Sequence, residues 1–250
     1  MKSATFQFHG SLNDLLSPAQ RNTPIIYQFD DVPAIKHAIE TIGVPHTEVD
    51  LIFVNDNAVD FFYSLNDNDR VEVYDVNTRE NFSSSWSLTP THTVPAKFIL
   101  DVHLGKLSRA LRLFGFDTLY ENNYDDHKIV ELSQEENRII LTRDKNLLKH
   151  KSVAIGYWIR SQFAEEQLME VINRFDLKSK FQFFKRCVEC NGIIVPVTKA
   201  SVLDQLLPKT ILYYNDFFQC TNCKRVYWRG SHYEYMQEFI EKIEQTVNGE

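Results

Sequence analysis

Apolar and polar residues alternate along Ala4-Thr5-Phe6-Gln7-Phe8 and again near Ile25-Ile26-Tyr27-Gln28-Phe29. A period of two marks strands with one face buried. After Asp31-Val32-Pro33 the period changes: Ile35, Ala38, Ile39 and Ile42 recur at three and four residues, and Gly43-Val44-Pro45 follows. That spacing predicts a helix with a defined stop. Two further extended runs, Val49–Asn55 and Asp69–Tyr74, complete a β-β-α-β-β order. Residues 1–80 are therefore expected to form a compact α+β domain.

Residues 81–96 are rich in Ser, Thr and Pro and predict a linker between two cores. Beyond it the pattern becomes strand-helix alternation. Lys97-Phe98-Ile99-Leu100-Asp101 is an apolar run ending in a carboxylate, and apolar residues at 104, 107, 111 and 114 predict a helix closed by Gly115. Asp117–Tyr120, Arg138–Asp144 and Ala154–Ile159 are expected strands, with helices opened by Asp126 and spanning Ala164–Phe175. Repeated strand-helix units imply an α/β domain with a parallel sheet over residues 97–177.

The last segment, 178–250, carries all four cysteines, in two Cys-x-x-Cys pairs, Cys187/Cys190 and Cys220/Cys223, with 29 residues between them. Each pair offers two thiolates from a tight knuckle, and a hairpin between them brings the pairs together on one tetrahedral Zn²⁺. Asn191-Gly192 suits the turn of the first knuckle, and Lys224-Arg225 offers cations to offset the thiolates of the second. A zinc ribbon followed by a C-terminal helix is the expectation. Ser231 with Glu234 reads as a capping box for that helix.

Charge divides the chain. Residues 1–90 hold 5 Lys+Arg against 13 Asp+Glu, whereas residues 91–250 hold 22 against 21. The acidic front repels polyanions and is a candidate surface for a protein partner; the remainder tolerates nucleic acid. No run approaches eighteen apolar residues, so no membrane span is expected, and the amino terminus enters strand alternation without an export stretch, which points to a cytoplasmic location.

Asp101 and Asp144 both follow apolar strands, at the end where doubly wound sheets place their sites. Either could simply cap the next helix. With Asp126 opening an intervening helix, three carboxylates suggest a divalent cation, and hard oxygen ligands suit Mg²⁺ or Mn²⁺. Glu131 lies five positions after Asp126, which a helix turns about 140° away. Arg109 and Arg112 could grip phosphate from one helix, and Lys180, Lys185 and Arg186 alternate with Phe181, Phe183 and Phe184 in a stretch able to hold bases and backbone. The bland alternatives are a solvated helix face and phenylalanines that fill a core.

Two resemblances sharpen this. Val44-Pro45-His46-Thr47-Glu48-Val49-Asp50, with Asn66–Val71 before the last strand, resembles the ubiquitin-like β-grasp domain related to sulfur carriers. A carrier needs a free Gly-Gly terminus, and Asp75–Glu80 has none. Residues 97–240 resemble the PIN-like RNase domain of the Mut-seven C-terminal RNase family. The matching phrases are Phe98–Asp101, Leu104–Asp117, Asp126, Leu141–Asp144, Arg186–Gly192 and Tyr227–Tyr233. The resemblance implies a metal-dependent ribonuclease hydrolysing RNA phosphodiesters, with Asp101, Asp126 and Asp144 as the metal-binding, catalytic acids. The alternative is a non-catalytic RNA- or ribosome-associated adaptor using the ribbon and the basic-aromatic stretch.

Overall fold

The structure is a computed structural model that describes residues 1–81, 86–90 and 95–249. Contacts divide the chain into two units, Met1–His92 with Asp126–Trp158, and Thr93–Asp125 with Ile159–Glu250.

In the first unit, β1 (Lys2–Phe8), β2 (Ile25–Phe29), β3 (Leu51–Val54), β4 (Asn57–Ala58) and β5 (Arg70–Tyr74) form one sheet of order β2-β1-β5-β3-β4. The central β1–β5 pair is parallel and its neighbours are antiparallel. Helix α1 (Ile35–Ile42) turns Ile35, Ala38 and Ile39 inward, onto Phe6, Phe8, Val71 and Val73 of the two middle strands. This is the grasp order read from the spacing.

The expected linker is partly docked. Asp50 is fully buried; its carbonyl accepts from Leu88 N–H at 2.7 Å and its Oδ1 from Ser87 Oγ at 2.6 Å. Trp86 meets Phe53 edge-on at 5.5 Å. Residues 82–85 and 91–94 of that stretch lie outside the described residues.

The same unit contains α3 (Asp126–Glu136), β8 (Ile139–Thr142), α4 (Lys145–Leu148) and β9 (Gly156–Trp158). Glu48, buried at 3% exposure, accepts from Trp158 N–H at 2.6 Å. His46 Nε2 lies 2.9 Å from the Val153 carbonyl, and Lys149 and Lys145 donate to the carbonyls of Glu40 and Leu15. Glu48 and Trp158 are thus joined across 110 positions of the chain.

The second unit holds β6 (Lys97–Leu100), α2 (Gly105–Leu113), β7 (Asp117–Leu119) and α5 (Ala164–Arg174). It continues into an antiparallel ribbon of β10 (Ile194–Val197), β11 (Phe217–Cys220) and β12 (Val226–Trp228), with α6 (Pro208–Tyr213) and α7 (Ser231–Asn248). In this unit β6 pairs in parallel with β7, as β8 pairs in parallel with β9 in the first. Phe114 centres a ring cluster with Phe181 at 5.0 Å, Phe183 at 5.3 Å and Phe239 at 6.2 Å. Gly115 must be glycine: its φ is +93°, and a Cβ would lie 2.3 Å from the Gln182 carbonyl oxygen.

One local expectation fails. Gly230 takes the N-cap position of α7 and Ser231 enters the helix, so the capping box does not form. Among the described residues no helix is long and apolar enough to cross a membrane.

Candidate functional site

The four cysteine sulfurs lie within 4.8 Å of one another and are the one such group of three or more His, Cys, Asp or Glu ligands among the described residues. Cys187 and Cys223 Sγ are 3.7 Å apart, and Cys190 and Cys220 are 3.4 Å apart. A disulfide needs about 2.05 Å. The edges of a tetrahedron with Zn–S of about 2.3 Å are about 3.8 Å long, so the quartet fits a zinc ion.

Backbone geometry explains the closeness. Asn191 takes φ +66° and Lys224 φ +60°, one left-handed residue in each knuckle. A Cβ at Gly192 would stand 2.7 Å from Cys220 Sγ, so only glycine lets the two knuckles meet. Burial raises the Cys190 thiol, but the Gly192 N–H and the neighbouring sulfurs outweigh it and hold the group at about 6. Burial pushes Cys223 up to about 12. Tyr227 Oη lies 2.9 Å from Cys187 Sγ, and burial with that sulfur raises its own pKa, keeping it a hydroxyl donor. Nothing in the spacing pointed to Tyr227.

The cation serving this quartet comes from α2. Arg112, 3% exposed, donates Nε to the Thr118 carbonyl at 2.9 Å and Nη1 to the carbonyls of Val188 and Glu189 at 3.2 and 2.7 Å. Burial lowers its pKa, opposed by Glu121 and then by Cys187 and Cys190. Asn191 adds a second tie, accepting from Thr118 N–H at 3.0 Å and donating to Asp117 at 2.8 Å. Arg186 pairs with the other Asp117 oxygen at 3.1 Å. The expected second-knuckle cations look elsewhere: Arg225 lies 3.5 Å from Glu189, and Lys224 donates to the Thr221 carbonyl.

Arg109, unlike Arg112, is exposed and lies 3.3 Å from Glu189. Lys185 donates to Gln182 at 2.5 Å, and Lys180 is exposed. Phe181 and Phe183 pack on Phe114, and Phe184 stacks on Tyr233 at 4.6 Å. The stretch is therefore core packing on its aromatic side.

The acids fall in both units, Asp101 in the second and Asp126 and Asp144 in the first. Asp101 follows β6, is 5% exposed, and accepts from His103 N–H at 2.8 Å. Asp144 follows β8, is exposed, and accepts from Asn146 N–H at 2.8 Å. Both thus cap the turn that follows their strand, and each does so with Oδ1. Asp126 is the exposed first residue of α3. It lines a hollow of about 570 Å³ together with Glu131, Asn146 and His150, and Glu131 accepts from Lys128 at 2.7 Å. In the second unit, a cleft of about 730 Å³ begins at Val102 and His103 and is lined by Lys106, Arg109, Arg112 and Gln167.

Comparison with known proteins now identifies the class. A family model described as the Mut7-C RNAse domain matches residues 96–240, and one described as Mut7-C ubiquitin matches residues 1–81. The chain belongs to the Mut7-C RNAse domain family, with the ubiquitin-like domain in front. No curated protein and no solved structure matches it.

Proposed function

We propose that this protein is a metal-dependent ribonuclease that hydrolyses RNA phosphodiester bonds. The observation that carries the reading is the RNAse-domain match over residues 96–240, which includes both strand-end carboxylates and Asp126. Asp101, Asp126 and Asp144 would hold Mg²⁺ or Mn²⁺, since carboxylate oxygens are the hard donors those ions take. The bound ion would lower the pKa of the attacking water and offset charge on the phosphate. The capping bonds fix the carboxylates of Asp101 and Asp144 before any ligand arrives. Arg109, on the exposed side of α2, is placed to meet substrate phosphate; Lys180 and Lys185 are further surface cations for the RNA backbone. Arg112 and Arg186 act instead on the protein's own carbonyls and Asp117.

The zinc quartet holds the ribbon on the RNAse domain and takes no part in the reaction. An adaptor without catalysis loses its main support, because Phe181 and Phe183 are packed inward. The test is cleavage of single-stranded and structured RNA by the zinc-loaded protein, with and without added Mn²⁺ or Mg²⁺. Cleavage that depends on the added ion supports the reading; binding without cleavage under all conditions returns the adaptor.

A further inference from the structure

The second unit carries a row of surface features that extends beyond the proposed hydrolytic site. Between the ribbon and α7 lies a groove of about 860 Å³ walled by Tyr214, Trp228, Tyr233, Tyr235, Met236 and Phe239. Tyr235 is 68% exposed, and Trp228 is partly exposed at 6.4 Å from Tyr214. The groove is not isolated. Val188, Met236 and Phe239 also line a shallow hollow bordered by Lys106 and Arg109, and those two cations line the cleft that begins just after Asp101.

Glu189 joins the two ends of this row. It lies 3.3 Å from Arg109 and 3.5 Å from Arg225, so a single carboxylate holds one guanidinium at the cleft and one at the groove. Lys106 is exposed on the same helix. Across the cleft, the hollow and the groove, Lys106, Arg109, Arg112 and Arg225 stand with Glu121, Glu165 and Glu189, a cationic excess of one charge, with rings at one end.

We infer that this row is a track for single-stranded RNA: bases enter the aromatic groove and stack on Tyr235 and Trp228, while the backbone crosses Arg225, Arg109 and Lys106 toward the Asp101 cleft. The inference rests on the ribonuclease reading and adds to it that the substrate is unpaired along this stretch. A duplex keeps its bases stacked on one another and has none to offer the rings; a single strand does, and every base has a face that stacks. Glu189 serves as a placeholder that the RNA phosphate displaces.

The experiment measures binding of a short fluorescein-labelled oligouridine and of the same length of duplex to zinc-loaded, full-length Asp144→Asn protein, which leaves the RNA intact. Tyr235→Ala should weaken single-strand binding about tenfold, within the range of one base–ring stack, with little effect on the duplex. Lys106→Ala should reduce the slope of log K against log salt by about 0.7, one single-strand phosphate contact. Glu189→Gln should tighten binding by freeing both arginines, which a structural ion pair would not do. A wild-type protein that cleaves RNA while its oligouridine affinity ignores Tyr235→Ala and Glu189→Gln would overturn the track alone. Absence of both binding and cleavage would overturn the ribonuclease reading with it.

Discussion

Arg112 Nη1 donates to the carbonyl oxygen of Glu189 at 2.7 Å, joining helix α2 to the middle of the first cysteine knuckle. The helix begins at Gly105, four residues after Asp101, so the thiolate quartet and the strand-end acid are connected through one short rigid element. The ribbon is thereby part of the RNAse domain's construction rather than an appendage.

Arg112→Met should therefore destabilise the second unit by about 3 kcal/mol, because it leaves buried carbonyls without their charged donor. Arg112→Lys should recover only part of this, since an ammonium lacks the planar fork. Denaturant unfolding of the zinc-loaded protein measures both. Zinc should also leave Arg112→Met faster, and equal zinc release from wild type and variant would refute the link.

Metal analysis should find one zinc per chain, and Cys220→Ser should abolish it. Removing the ion should unfold the ribbon and loosen α2, while leaving the sheet of the first unit folded, since that unit contains no cysteine. Circular dichroism with hydrogen exchange reads the two regions separately. Disulfides in place of zinc would contradict the geometry.

A fragment of residues 93–250 should be poorly soluble or molten. Removing residues 1–92 takes away Glu48, which accepts from Trp158 N–H, and the Glu40 and Leu15 carbonyls that receive Lys149 and Lys145. In the whole chain, Glu48→Ala should cost about 1 kcal/mol by leaving the part-buried Trp158 N–H without its acceptor. A cooperative, soluble fragment would show that the two segments need no common core.

What the sequence disclosed and what it hid have physical reasons. Strands and helices announced themselves by period because burial on one face imposes it, and Asp101 and Asp144 stood out because each ends an apolar run. Arg112 did not stand apart from Arg109. Their spacing of three is the same evidence for both, and only carbonyls 76 and 77 residues away bury one of them. Phe181 and Phe183 were ambiguous for a similar reason: interleaved charges and rings suit either RNA or a core, and Phe114 decides it. Ser231 shows the limit of short motifs, since the chain leaving β12 places Gly230 at the cap.

Stability of the first unit should fall on acidification through Asp75. Burial alone would raise this carboxyl, but Ser11 and Thr78 each donate both N–H and hydroxyl to it and hold it below the ordinary 3.8. A depressed value means the contribution is complete above the unfolded pKa and disappears as pH drops through the folded one. Asp75→Asn should cost about 1 kcal/mol near neutrality, and the gap from wild type should close below about pH 4. A gap independent of pH would show that charge is not involved.

The central claim is that strand-end carboxylates carry metal-dependent RNA hydrolysis, and the most direct measurement is RNA cleavage with Mn²⁺ by Asp101→Asn and Asp144→Asn beside their melting curves. Asparagine still accepts the N–H bonds from His103 and Asn146, so both variants should stay folded near the wild-type midpoint. They should lose cleavage by at least about a hundredfold, since each removes an anionic metal ligand. Undiminished cleavage by both folded variants would contradict the account, leaving Asp101 and Asp144 as helix caps alone.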